Sequence, residues 1–207
     1  MMYGKLKYLT FLDHEPCAAN DGKRVMAYLV DWFLSGLCLS LPLCLTWMMA
    51  TRDLDQMEKV NVFRLASVTG NGPALAAAAA GLLLFLWYMV WIPWKVHPGQ
   101  TPGKRMMGIA IARKDGQPLD LKTLLLRQVV GVLLIEGTLY NASAMLQDMV
   151  SVSTGLNFTG VLLYATLALT IASLLAALMA KSRRMIHDYL AGTVLVPVAD
   201  TRPDQMI

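Results

Sequence analysis

Long apolar runs bounded by polar residues dominate the pattern of this chain of 207 residues. A helix needs about 20 residues to cross a hydrocarbon core of roughly 30 Å. Four runs reach that length, and we predict membrane-spanning helices at about 25–50, 74–95, 121–146 and 158–180. The pattern therefore predicts an all-α membrane protein, a four-transmembrane-helix bundle.

Two short segments outside these runs have the alternation and β-branched residues of strands. Residues 108–113 form the first and are followed by an Asp115-Gly116 turn, while residues 193–196 form the second. Asp120 is placed as the N-cap of the third long helix. We predict that the two segments pair as a small cytoplasmic β-hairpin-like element beneath the bundle.

The distribution of basic residues predicts the orientation, because short cytoplasmic loops are enriched in Lys and Arg. Fifteen of the 18 basic residues precede the first run, follow the fourth, or lie between the second and third runs and at the ends of those two runs that face each other. Both termini are therefore expected on the cytoplasmic side. We divide the chain into a cytoplasmic N-terminal segment (1–23), a membrane domain (24–198) and a C-terminal tail (199–207).

Composition supports this class of protein. The chain is 56% hydrophobic and 15% charged. This is too few charged residues to cover the surface of a soluble globular protein of this size. The net charge of +4 does not indicate nucleic-acid binding, because the basic residues lie at the ends of apolar runs rather than on one solvated face. Cys17, Cys38 and Cys44 lack metal-ligand spacing, and we predict no cofactor and no metal.

Ionisable residues inside the apolar runs are the first candidates for function, since each costs about 2.5–3.5 kcal/mol to insert. Asp31 lies in the first run with Arg24 two turns before it, and Glu136 lies in the third with Arg127 more than two turns before it. Two interpretations stand for Asp31 and Glu136: a proton or cation relay, or structural pairs that fix helix packing. For the first pair we expect Arg24 to reach Asp31.

Two polar motifs flank the helices. The turn contains Gly99, Gln100, Thr101, Pro102, Gly103 and Lys104. It lacks the spacing and the Ser or Thr of a phosphate loop, so we predict a basic turn whose Lys104 and Arg105 meet lipid phosphates. After the fourth run, His187 and Asp188 either join His97 at a metal or, as we favour, Asp188 pairs with Arg24 or Arg127.

The sequence contains no His-Glu-x-x-His, Gly-x-Ser-x-Gly or Cys-x-x-Cys motif, and we expect that the protein is not an enzyme.

The fourth run has an alanine stripe, small residues at every fourth position that allow close helix approach in lipid: Ala168, Ala172, Ala176 and Ala180.

The motifs in this order resemble the RDD family of bacterial membrane proteins, which is named for one arginine and two aspartates. Arg24 and Asp31 match the arginine and the first aspartate, and Asp188 is taken as the second. The turn from Gly99 to Lys104, then Arg127, then His187-Asp188 ahead of Ala191-Gly192-Thr193 complete the resemblance. It implies a multi-pass protein of the bacterial cell membrane and, for some members, an activity similar to cation/proton antiport. Glu136 matches no motif of the family.

Two functional hypotheses follow. In the first, Arg24, Asp31 and Asp188 form a charged cluster that serves cation or proton movement. In the second, the protein is a non-transporting scaffold or accessory subunit that packs against a partner through the alanine stripe. The expected partners are the lipid bilayer, monovalent cations or protons, and a second copy or another membrane protein, but no nucleic acid.

Overall fold

The computed structural model describes residues 19–137, 140–156 and 159–198. Three of the described helices are long and apolar enough to cross a membrane: Asp21–Thr51, Asn71–Val96 and Leu162–Met179 within a helix that begins at Thr159. We call these helices α1, α3 and α7. The chain is mostly helical, with one small antiparallel sheet.

Shorter elements connect the long helices. They are α2 (Val62–Thr69), α4 (Pro102–Met106), α5 (Leu121–Leu125, continued by a π-helical stretch at Leu126–Ile135), α6 (Asn141–Thr154), α8 (Ile186–Ala191), and the strands β1 (Ile109–Arg113) and β2 (Thr193–Pro197). A 3₁₀ turn spans Met57–Lys59. The C-terminal part of α3, Trp87–Val96, is also π-helical and contains Pro93, which has no N–H to give to the α-helical ladder.

Helix α1 begins where Asn20 caps it, its side chain accepting a hydrogen bond from the Gly22 amide at 2.8 Å. The helix buries one face at every fourth residue, from Ala27 through Asp31, Ser35, Leu39 and Leu43 to Trp47. Gly81 of α3 lies against this face, where an added Cβ would be 2.6 Å from the Leu39 carbonyl oxygen. The two backbones therefore approach closely, as small residues permit in membrane helix pairs.

The predicted third helix, 121–146, is wrong as a continuous element. Helical structure stops at Ile135, Glu136 has φ −94° and ψ 40°, and α6 starts only at Asn141. The N–H of Glu136 still reaches back to the Gly131 carbonyl at 2.9 Å. This segment is therefore a broken helix, and the buried hydrogen bonds of Glu136 stabilise the break.

The predicted strand pairing is confirmed. β1 and β2 run antiparallel, with Ile109 opposite Pro197 and Arg113 opposite Thr193. Asp120 caps α5 as predicted, accepting a hydrogen bond from the Thr123 amide at 3.0 Å. The sheet lies at the end of the bundle where α1 begins, because Ile109 packs with Ala19 and Ala27. We call this the sheet end.

Helix α7 is the least covered of the long helices. It buries a few small residues, among them Thr166, Ser173 and Ala177, whereas its leucines are mostly exposed. Of the alanine stripe, Ala168 and Ala172 are exposed and Ala180 is buried. The stripe therefore turns from the outside of the bundle towards its interior as the helix approaches the sheet end.

Candidate functional site

Asp31 is the centre of the first buried polar cluster, which we call the Asp31 cluster. Its Oδ1 accepts hydrogen bonds from the Tyr88 hydroxyl at 2.7 Å and the Gly103 amide at 2.9 Å. Its Oδ2 accepts from the Thr101 hydroxyl at 2.5 Å and the Lys104 ammonium at 2.9 Å. The carboxylate is fully buried, and four donors compensate its loss of water.

The turn from Gly99 to Lys104 lies close to this carboxylate because two of its residues are glycines. At Gly103, an added Cβ would lie 2.5 Å from the Ala27 carbonyl oxygen and 2.7 Å from Oδ1 of Asp31. At Gly99, which has φ +72°, a Cβ would lie 2.4 Å from the Ile111 carbonyl oxygen. The glycines therefore let the turn pack against α1 on one side and β1 on the other.

Two expectations about this region are wrong. Lys104 does not face lipid headgroups, because it is 7% exposed and pairs with Asp31. Arg24 does not pair with Asp31 either. Instead, its guanidinium donates to the Arg183 carbonyl oxygen at 2.5 Å and lies 3.8 Å from Asp21. Arg105 is exposed and contacts the ring of His97.

A second buried cluster joins α5 to α8, and we call it the Asp188 cluster. Nε and Nη2 of Arg127 donate to Oδ1 of Asp188 at 3.0 and 2.9 Å, and the Thr193 hydroxyl donates to the same oxygen at 3.0 Å. Arg184 donates to the backbone carbonyls of Thr193 and Asp188 at 2.9 and 2.8 Å. Of the two partners proposed for Asp188, the structure has Arg127.

Asp188 lies outside the membrane-spanning helices. Burial alone would raise the pKa of its carboxyl group. The Arg127 guanidinium and the hydrogen bond from Thr193 outweigh burial and hold the pKa well below its usual range.

Glu136 extends this cluster into the broken helix. Its Oε1 accepts from the Ser173 hydroxyl at 2.5 Å and from the His187 amide at 2.9 Å, and Nδ1 of His187 lies 2.7 Å from Oε2. Glu136 is fully buried. The Glu136 carboxylate thus joins the break to Ser173 of α7 and to His187 in the first turn of α8.

The contacts of His187 indicate which of its ring nitrogens carries a hydrogen. Nε2 lies 2.9 Å from Nη2 of Arg127, and arginine can only donate there. Nε2 therefore accepts, so Nδ1 carries the hydrogen and donates to Glu136. In this tautomer the imidazole links a buried carboxylate to a buried guanidinium, and Nε2 also lies 3.5 Å from Oδ2 of Asp188. Gly131 makes room for it, since a Cβ there would lie 2.5 Å from Cβ of His187.

The predicted charged cluster of Arg24, Asp31 and Asp188 is not present: Asp31 and Asp188 lie in two separate clusters, and Arg24 contacts Asp21 and Arg183 instead. Sequence analysis missed the partners Tyr88, Thr101 and Ser173, and it did not connect Glu136 with His187. No linear signal joins these residues, which are 37 to 70 positions from their carboxylates. Among residues 19–137, 140–156 and 159–198, no three His, Cys, Asp or Glu side chains are grouped to hold a metal.

A cavity of about 330 Å³ lies at the sheet end between α1, α5, α7 and α8. Arg127, His187 and Asp188 border it, as does Lys104 of the Asp31 cluster. The cavity therefore adjoins both buried clusters.

The fold and these clusters define a helical membrane protein with paired charges buried among apolar helices. The chain belongs to the RDD family, whose model matches residues 18–192. No curated protein and no solved structure matches it.

Proposed function

We propose that this RDD family member moves protons or monovalent cations across the bacterial cell membrane and is not an enzyme. The observation that carries the proposal is the Glu136–His187 pair, a buried carboxylate hydrogen-bonded to an imidazole at the break of a helix. Intramembrane carboxylate and histidine groups of this kind are typical of proton relays. The cavity beside His187 supplies an approach for a proton from the sheet end.

The proposed topology has four crossings, the third made by α5 and α6 together. Its support is the contact pattern. Leu121 and Leu124 of α5 pack with Ile111 of β1, whereas α6 ends near the start of α3, where Nδ2 of Asn71 lies 3.5 Å from the Val152 carbonyl oxygen. Both termini and the sheet then lie on the cytoplasmic side, in agreement with the basic residues. A discontinuous helix is a frequent feature of transporter ion sites.

The geometry favours Glu136 over Asp31 as the proton site. Both oxygens of Asp31 are taken by four donors, one of them the Lys104 ammonium, so Asp31 holds the turn to α1. Glu136 instead meets an imidazole, the side chain type whose charge changes near neutrality. If His187 takes a proton at Nε2, that nitrogen becomes a donor facing Arg127. The hydrogen bond from Arg127 to Nε2 is then lost, and Oδ2 of Asp188, 3.5 Å from Nε2, can accept the new one. Proton uptake is thereby coupled to the contact between α5 and α8.

The test uses the full chain in liposomes that contain a pH-sensitive dye, with Na⁺, K⁺ or Li⁺ added outside. The parent should show cation-dependent movement of protons, and Glu136→Gln should abolish it while the variant inserts and stays monodisperse. Asp55→Asn is the matched control, because it makes the same change at an exposed loop carboxylate, and it should retain the flux. Full flux in Glu136→Gln would rule out the pair as the proton site.

A scaffold function is the second candidate, favoured by the exposed stripe residues Ala168 and Ala172 on α7. In that case the parent, although folded and inserted, would be silent to every cation. Ala172→Cys would then form a disulfide-linked dimer, or crosslink to a partner in membranes. The control Leu175→Cys lies on the same exposed helix outside the stripe and should not crosslink.

A further inference from the structure

We propose that Gln128 and Tyr140 hold a row of water molecules inside the cavity at the sheet end, and that this row delivers protons to His187. The hydration of the cavity follows from its polar lining and does not depend on transport. The delivery of protons rests on the function proposed above for Glu136 and His187.

The first step of the argument is the polar lining of the cavity. Its wall includes buried residues whose side chains are charged or hydrogen-bonding: Lys104, Arg127, Gln128, His187 and Asp188. Cavities with polar walls hold water when they are large enough, because the water molecules bond to groups that otherwise lack partners. At about 330 Å³ this cavity has room for several water molecules.

Gln128 is the first attachment point for water. The residue is 2% exposed, and its side chain makes no hydrogen bond with any residue that the structure describes. Every fully buried side-chain nitrogen or oxygen of the described residues has a hydrogen-bond partner, so the amide atoms of Gln128 are not fully buried. The surface that they keep faces the cavity, which Gln128 borders. An amide turned into a cavity in this way takes water as its partner.

Tyr140 is the second attachment point. Its ring packs edge to face on Tyr28 and Phe85 at 5.6 and 5.9 Å. Its hydroxyl has no hydrogen-bond partner among the described residues, and Tyr140 borders the cavity. The phenol is close enough to both polar clusters to interact electrostatically with Asp31 and with Glu136. A water molecule bonded to this hydroxyl therefore lies near both clusters.

Lys104 provides a further donor for water at the Asp31 cluster. A lysine ammonium has three N–H donors, and that of Lys104 reaches two acceptors, Oδ2 of Asp31 at 2.9 Å and the Thr101 hydroxyl oxygen at 3.2 Å. Lys104 has no further acceptor among the described residues, and it borders the cavity. Its third N–H is therefore available to water.

Gln128 and Tyr140 differ from the charged residues of the cavity in the hydrogen bonds that they can make. A water molecule passes a proton along a row only if its neighbours allow it to turn between donating and accepting. Amides and hydroxyls both accept and donate, whereas Lys104 and Arg127 only donate. The carboxylates paired with these two cations neutralise them, so a proton on the row does not meet an uncompensated positive charge.

The cavity connects the surface of the protein with the buried imidazole. Asp21, whose side chain is 62% exposed, borders the cavity at the start of α1. His187 is buried and borders it too, and its Nδ1 lies 2.7 Å from Oε2 of Glu136. A row of water in this space therefore leads from the sheet end to the proposed proton site.

The first experiment detects the water without measuring transport. The full chain in detergent is exposed to a short X-ray pulse, which converts water to hydroxyl radicals, and the oxidised residues are located by mass spectrometry. Tyr140 should be oxidised although it is 9% exposed, because water is bonded to it. Phe85 is the matched control, since it packs on Tyr140 but does not border the cavity, and it should stay unmodified. Equal protection of the two rings would show a dry cavity and overturn the proposal.

The second experiment measures proton flux in liposomes and thermal stability for two variants. Gln128→Met keeps the length of the side chain and removes both of its hydrogen-bonding groups. It should lower the oxidation of Tyr140 and slow the flux about tenfold, the effect of losing one or two hydrogen bonds along the path. Its thermal midpoint should not fall, because no hydrogen bond to protein is lost. Tyr140→Phe keeps the ring packing, and it should slow the flux with the midpoint unchanged.

Two control variants make the comparison specific. Gln147→Met removes a buried amide that has a protein partner, the Ser143 hydroxyl at 3.3 Å. It should lower the midpoint while the flux per folded protein remains. Tyr164→Phe removes a hydroxyl on the exposed part of α7 and should change neither quantity. Full flux in both Gln128→Met and Tyr140→Phe would show that protons reach His187 by another path, and the proposal would be wrong.

These experiments distinguish a failure of the water row from a failure of the proposed function. If the parent shows no proton flux, the proposed function and the delivery of protons both fail, and the oxidation of Tyr140 still decides whether the cavity is hydrated. If Glu136→Gln abolishes the flux while Gln128→Met and Tyr140→Phe leave it intact, the proposed function stands and the water row is not the path.

Discussion

Single carboxylates in this protein are stabilised by donors that come from distant parts of the chain. Asp31 on α1 is held by Tyr88 of α3 and by Thr101, Gly103 and Lys104 of the turn. Among the described residues, every buried side-chain nitrogen or oxygen has a hydrogen-bond partner. Removing one member of such a set therefore leaves another group buried without compensation.

The first prediction concerns the Asp31–Lys104 pair. Asp31→Asn should destabilise the protein by about 3–5 kcal/mol, because it leaves the Lys104 ammonium buried without its counter-charge. Lys104→Met in the same chain should restore part of the loss, whereas Arg24→Gln should not. Thermal unfolding in detergent measures all three. An unchanged midpoint for Asp31→Asn would mean that the pair does not stabilise the fold.

The second prediction concerns the close approach at Gly103. Gly103→Ala should be strongly destabilising, because the new Cβ meets the Ala27 carbonyl and the Asp31 carboxylate, and backbone cannot move aside cheaply. Gly36→Ala is the control inside α1, where nothing lies within 4 Å, and it should be neutral or stabilise by about 0.5–1 kcal/mol. Equal midpoints for the two variants would show that the turn does not pack on α1 as described.

At the scale of elements, the short helix α8 connects the broken helix, α7 and the sheet. His187 and Asp188 bind Glu136 and Arg127, while Ser173 of α7 accepts a hydrogen bond from the Ile186 amide at 2.9 Å. Thr193 of β2 completes the connection. The position of α8 therefore depends on its contacts with the broken helix, α7 and β2 together.

The third prediction follows from the lowered pKa of Asp188. A carboxyl group whose pKa is lower in the folded state than in the unfolded state stabilises the fold at pH values above its unfolded-state pKa, about 3.9. This stabilisation is lost as the pH falls through the folded-state pKa. The parent should therefore lose stability below about pH 4, and Asp188→Asn should be less stable at neutral pH with a flatter acid dependence. Thermal midpoints measured between neutral and acidic pH check this. If both proteins lost the same stability at acidic pH, other carboxylates would be responsible for the loss.

At the scale of the whole molecule, the charged and structured parts gather at one end. The sheet, the turn, α8 and the cavity all lie at the sheet end, whereas α2 and the end of α6 pack around Trp47 and Leu65 at the other. Such asymmetry is typical of a membrane protein, whose two ends lie on opposite sides of the bilayer.

The fourth prediction concerns the orientation in the membrane. With the native cysteines replaced by serine, a cysteine at Asp55 or Ser153 should react with an impermeant thiol reagent added outside cells. One at Gln117 should react only after permeabilisation. All three positions are exposed, whereas Ser151 is buried and would be a poor probe. Labelling of Gln117 alone in intact cells would invert the proposed orientation.

What the sequence by itself determined is local. Apolar runs longer than a bilayer is thick identified the membrane class, β-branched segments predicted β1 and β2, and Asp120 predicted the start of α5, because each property depends on neighbours along the chain. The motifs also indicated the RDD family. Tertiary structure alone decided which charges pair. Asp31 bonds to Lys104, 73 positions away, and Glu136 to His187, 51 positions away, and nearness in sequence had favoured Arg24. The break at Glu136 has the same cause: an apolar run favours a continuous helix, and only the donors packed around the buried carboxylate stabilise its interruption.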